Sequence, residues 1–100
     1  MSESKEQLFT AISAYMKNSP YKNAGDWYVG IASNPRDRLF RDHNVSEDSP
    51  TWIFGEAQSS DIARSIEQAY LDSGHDGGAG GGDYKTTWVY AYAKVQGTKR

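Results

Sequence analysis

Trp27-Tyr28-Val29-Gly30-Ile31-Ala32-Ser33-Asn34-Pro35-Arg36-Asp37-Arg38-Leu39-Phe40-Arg41-Asp42-His43 is the stretch on which the fold of this chain turns. From Asp26 to Ala32 the residues favour a strand, with Trp27, Val29 and Ile31 on one face and Tyr28, Gly30 and Ala32 on the other. Asn34 is a good helix N-cap, because its short side chain can accept from a free backbone N–H. Pro35 suits the first helical position, where a missing N–H costs nothing. A short helix is therefore expected from about Pro35 to Asp42, anchored to the core by Leu39. Strand, turn and capped helix together carry Tyr28, Arg38 and His43 toward one place.

Upstream, residues 4–18 place Leu8, Ala11, Ile12, Tyr15 and Met16 at helical spacing among polar residues, which predicts an amphipathic helix ended by Ser19-Pro20. Downstream, residues 51–58 predict a second strand. Ser59-Ser60 then cap a helix carrying Ile62, Ala63, Ile66, Ala69 and Tyr70, with Gly74 as its stop. The last strand, within residues 86–95, alternates Trp88, Tyr90, Tyr92 and Lys94 with Val89, Ala91, Ala93 and Val95. Its small apolar face is expected to lie under a helix. The order helix, strand, helix, strand, helix, strand implies one α+β domain over residues 1–100, with a small three-stranded antiparallel sheet flanked by three helices.

Composition narrows the function classes. One hundred residues suffice for one modest core, and thirteen aromatics, seven of them tyrosine, predict a core rich in rings. No cysteine is present, so disulfides and thiolate metal sites are excluded, which fits a reducing, cytoplasmic compartment. No apolar run is long enough for a membrane span, and the polar start does not resemble a signal peptide, so no membrane partner is expected. A net charge of -2 and a pI near 5.6 argue against strong non-specific attachment to a polyanion. Any contact with nucleic acid must be local. Residues 77–82, Gly-Gly-Ala-Gly-Gly-Gly, follow a helix and open a strand, the reverse of a phosphate loop, and contain neither GxxxxGK[ST] nor GxGxxG. They read as a flexible connector, with control of substrate access as the alternative.

Tyr28-Val29-Gly30, Asn34, Arg38 and His43, followed by Glu67 on the next helix, resemble the GIY-YIG nuclease superfamily, and most of all its small stand-alone bacterial or phage members. The resemblance covers roughly residues 26–72, its best part being the run Tyr-Val-Gly-Ile-x-x-Asn-Pro-x-x-Arg-Leu. It implies an endonuclease hydrolysing phosphodiester bonds in DNA. It also implies one divalent metal, Mg²⁺ in the first instance, held by Glu67, with tyrosines assisting deprotonation of water and Arg38 stabilising the phosphate. Elementary chemistry agrees. A hard cation takes oxygen ligands and needs only one or two carboxylates when a substrate phosphate supplies the rest. A guanidinium is a planar fork suited to phosphate oxygens. A tyrosine of ordinary pKa near ~10 is a poor base unless its surroundings help it, and a histidine titrating near neutrality can share the work.

The chain departs from the family in three places. The family's opening strand, with its Gly-Ile-Tyr-like triplet, has no counterpart in Met16-Lys17-Asn18-Ser19-Pro20-Tyr21. Arg38 and His43 stand five residues apart, one more than is usual, which turns the histidine by ~100° in a continuing α-helix. No asparagine follows Asn44. The last strand offers a repair for the first departure: it can occupy the vacant position, as in a circular permutation, with Tyr90 or Tyr92 standing in for the lost tyrosine. The alternative is a catalytically degenerate module that binds nucleic acid or a protein partner through Trp88, Tyr90 and Tyr92 and the cluster of Arg36, Arg38 and Arg41.

Overall fold

The long helices form where apolar positions recur at helical spacing between capped ends. In α1 (Lys5–Asn18), the Ser4 hydroxyl accepts from the Gln7 N–H while the Gln7 side-chain carbonyl accepts from the Ser4 N–H, both at 3.1 Å. This reciprocal box satisfies two otherwise unpaired donors. α1 buries Leu8, Ile12 and Met16. Ala11, expected on the same face, is exposed, and Phe9 packs inward instead, its ring stacked 4.7 Å from that of Tyr70. In α2 (Ser60–Asp72), the Ser59 hydroxyl accepts from the Ile62 N–H, and Ala63, Ile66 and Tyr70 are buried. Gly74, at φ +97°, ends it in a conformation that suits glycine.

These helices belong to a computed structural model that describes residues 4–78 and 82–100. Three strands, β1 (Trp27–Ala32), β2 (Trp52–Glu56) and β3 (Trp88–Ala93), make one antiparallel sheet in the order β1-β3-β2. β3 is central, and its register sets Tyr92 opposite Tyr28, and Tyr90 between Gly30 and Phe54. A third, short helix lies between β1 and β2. The fold is α+β with a three-stranded antiparallel sheet and three helices, as the periodicities predict.

The two faces of β3 explain its alternation. Val89, Ala91 and Ala93 lie under α1 and α2 with Trp27 and Val29, small residues that let the helices approach. On the opposite face Tyr28, Tyr90 and Tyr92 pack with Leu39 and Val45, from the segment joining β1 to β2. Tyr90 is 1% exposed and Tyr92 fully buried, so the face once expected to grip a partner through Trp88, Tyr90 and Tyr92 is largely interior. Each such ring contributes roughly 2–3 kcal/mol by leaving water. Trp88 alone of the three is half-buried.

Candidate functional site: a tyrosine-lined cleft

Gly30 decides how the cleft begins. A Cβ at this position would meet the Cζ and Oη atoms of Tyr90 at 2.5 Å, so the absence of a side chain lets the Tyr90 ring lie flat across β1. Around that point opens a cleft of about 360 Å³, with Tyr28, Tyr90, Arg38, Arg41 and Glu67 on its walls. The Tyr28 ring stacks 6.4 Å from Tyr90 and 5.2 Å from Tyr92, so the last strand brings both tyrosines beside the first.

The segment carrying Arg38 and His43 is helical from Pro35, as its cap predicts, with the Asn34 side-chain carbonyl accepting from the Asp37 N–H at 3.2 Å. From Asp37 to Asp42, however, it winds as a π-helix. The His43 N–H donates to the Arg38 carbonyl at 2.8 Å, a bond across five residues. The wider turn absorbs the extra residue between Arg38 and His43, so the ~100° displacement of an α-helix does not arise. His43 turns inward beneath the tyrosines.

His43 does not line the cleft; it stands behind it. Its Nδ1 lies 2.6 Å from the Lys99 carbonyl, which can only accept, so Nδ1 carries the proton and Nε2 presents a lone pair. The Tyr90 hydroxyl donates to that Nε2 at 2.8 Å. Tyr92, whose hydroxyl donates to the same Lys99 carbonyl at 2.9 Å, braces the ring from the other side and does not reach the cleft. Burial lowers the His43 pKa, with the Lys99 carbonyl opposing, so the ring is neutral at pH 7. Burial pushes Tyr90 up to about 12, although the nearby positive charge of Arg38 offsets part of that rise.

Glu67 comes from α2 and lines the same cleft as Arg38. It is 4% exposed, takes no hydrogen bond from the described residues, and is raised in pKa by burial, with the charge of Arg64 opposing. Arg64, one helical turn earlier, is held by the Gly82 carbonyl at 3.0 Å. The charged residues on the cleft walls, Arg38 and Arg41 against Asp37 and Glu67, cancel, so an entering phosphate finds little net attraction until positive charge is added. Among the described residues no cluster of three or more His, Cys, Asp or Glu could hold a metal. Glu67 offers a single carboxylate, so a hard cation bound there would need water and phosphate oxygens for its remaining ligands. Arg38 pairs with Asp42 at 3.6 Å, and Arg41 with Asp42 at 3.0 Å and Asp37 at 3.8 Å. Such exposed pairs are weak, and a phosphate can replace them.

Of the residues singled out by sequence, Tyr28, Tyr90, Arg38, Arg41 and Glu67 meet at the cleft, His43 and Tyr92 support it from behind, and Arg36 faces a neighbouring groove. The glycine run falls partly on residues 79–81, outside the described residues. Its flanks, Gly78 and Gly82, are on the cleft wall, and a Cβ on Gly78 would stand 3.3 Å from the Tyr28 hydroxyl. Sequence reasoning missed Arg64, which its position three before Glu67 on a helix could have flagged, and Lys99, whose backbone carbonyl leaves no signal in sequence. It also missed Asp76, whose carboxylate holds Arg100 at 2.7 Å and Lys94 at 3.1 Å and so fastens residues 94–100 beside His43. No family model, no curated protein and no solved structure matches this chain.

Proposed function

We propose that this protein is a metal-dependent endonuclease hydrolysing phosphodiester bonds in DNA, of the GIY-YIG kind its sequence resembles. The observation that carries the reading is the convergence of Tyr28, Arg38, Glu67 and Tyr90 on one cleft. Glu67 would hold the divalent cation, which when bound supplies Lewis-acid stabilisation of charge on the phosphate. Arg38 aims a fixed positive charge at the same oxygens, and Arg41 at the rim faces a flanking phosphate.

His43 and Tyr90 handle the proton. As the water oxygen bonds to phosphorus and the bond to the leaving oxygen breaks, the water proton passes to the Tyr90 hydroxyl oxygen while the Tyr90 proton passes to His43 Nε2. The imidazolium so formed keeps its Nδ1–H on the Lys99 carbonyl, and the leaving oxygen is protonated from solvent. No free tyrosinate forms, which suits a hydroxyl whose pKa is about 12. Tyr28, stacked beside Tyr90, orients the water. The position of β3 next to β1 supports the view that the last strand supplies the tyrosine missing from the usual first strand.

A plasmid-nicking assay in Mg²⁺ tests this. The wild type is expected to nick, and Glu67→Ala and Arg38→Ala each to lose ~10²–10³-fold in rate, the scale for removing one group that stabilises transition-state charge. DNA binding without cleavage under all conditions would instead favour the degenerate binding module.

A further inference from the structure

Next to the cleft, across the wall formed by Ser33 and Asn34, lies a second groove of about 260 Å³ lined by Pro35, Arg36, Phe54 and Trp88. Its aromatic floor is ordered by contacts between rings. Trp88 meets Phe54 edge-on at 5.6 Å, Phe54 stacks on Trp52 at 5.6 Å, and Trp52 meets Phe40 edge-on at 5.0 Å. Arg36 lies over both Phe40 and Phe54, 5.7 Å from each ring centre. Its only ion pair among the described residues is with Glu47, and both side chains are more than half exposed, so a phosphate can displace it. Phe54 and Trp88 are half-buried rather than covered.

We infer that this groove binds an unpaired nucleobase of the strand that enters the cleft, and so that the substrate is single-stranded or locally unpaired nucleic acid. Three features favour a base over a peptide side chain. The groove shares Ser33 and Asn34 with the cleft, which places its occupant next to the phosphate held there. An aromatic face with an arginine beside it suits a flat base attached to a phosphate, by stacking and cation–π contact. The Asn34 side-chain carbonyl is engaged by the Asp37 N–H, and Asn34 lines the groove, so its amide N–H₂ remains as a donor for a base edge. Bases inside a duplex are already stacked and paired, so only an unpaired one can enter. The inference rests on the nuclease reading for the identity of the neighbouring phosphate, but its test does not depend on cleavage.

The experiment uses Glu67→Gln protein in Mg²⁺, titrated with a fluorescent single-stranded oligonucleotide and with its duplex, read by anisotropy and by tryptophan quenching. Single strands are expected to bind more tightly and to quench. Phe54→Leu, which keeps apolar volume but removes the flat face, is expected to weaken single-strand binding between about fivefold and a hundredfold, the range for loss of one stacking partner. Circular dichroism confirms that the variant is folded, and Arg36→Gln provides a second variant that leaves the rings in place and is expected to weaken the same binding. Loss of single-strand binding in both variants upholds the groove, and a wild type that binds single strands but never nicks DNA removes the nuclease reading alone. With Glu67 intact, cleavage of duplex DNA at unchanged rates in Phe54→Leu and Arg36→Gln overturns the groove and keeps the nuclease. No binding of any oligonucleotide overturns the groove's assignment and points to a protein partner.

Discussion

At the level of single residues, the site depends on which nitrogen of His43 holds the proton. The Lys99 carbonyl decides this, leaving Nε2 as the acceptor for Tyr90. Tyr90→Phe removes the donor and leaves a buried nitrogen unpaired, an expected loss of about 1–3 kcal/mol in urea unfolding, together with a large drop in cleavage. The pH dependence follows from the lowered His43 pKa. An unfolded chain binds a proton near 6.5 that the native ring resists, so stability rises with pH through the interval below 6.5 and levels off above it. His43→Gln is expected to flatten that part of a stability-against-pH curve. Cleavage should also fall on acidification, with a midpoint below 6.5, as the acceptor becomes protonated. Tyr28, Arg38, His43 and Glu67 were legible in the sequence as residue types at a spacing. The place of His43 behind the cleft was not, since its orienting carbonyl lies 56 residues away and every residue carries a backbone carbonyl.

Among the elements, the strands and helices followed from their periods and caps, because alternation along β3 and the Asn34 cap are local properties. The π-helix was not legible. A five-residue separation looks like a misplaced histidine under α-helical geometry, and only the bond from His43 N–H to the Arg38 carbonyl shows the turn to be wider. The packing of Gly30 under Tyr90 makes a sharp prediction. Gly30→Ala forces the ring away from β1, with an expected loss of about 1–3 kcal/mol in chemical denaturation and the loss of cleavage. A smaller effect is expected at the helix start, where Asn34→Ala removes the cap and lowers stability by about 1 kcal/mol.

For the whole molecule, the acidic balance limits how the proposed nucleic-acid substrate can be held. With a net charge of -2 and only a few arginines at the cleft and groove, binding draws on few phosphate contacts. A plot of log affinity against log salt for a single strand is expected to have a slope of about -2, since each neutralised phosphate contributes about -0.7. A steep slope, near that of a strongly basic protein, would refute it. The charge balance was legible in the composition. The order of the sheet was not, because the two strands first in sequence do not pair with each other, and nothing local says that the third will lie between them. That order also governs timing. β1 and β2 have no partner in the sheet other than β3, so the sheet that floors the cleft cannot close until residues 88–93 are in place between them. On the proposed reading the chain stays inert until that insertion, and the same dependence on the last strand predicts slow refolding, through contacts that span most of the sequence.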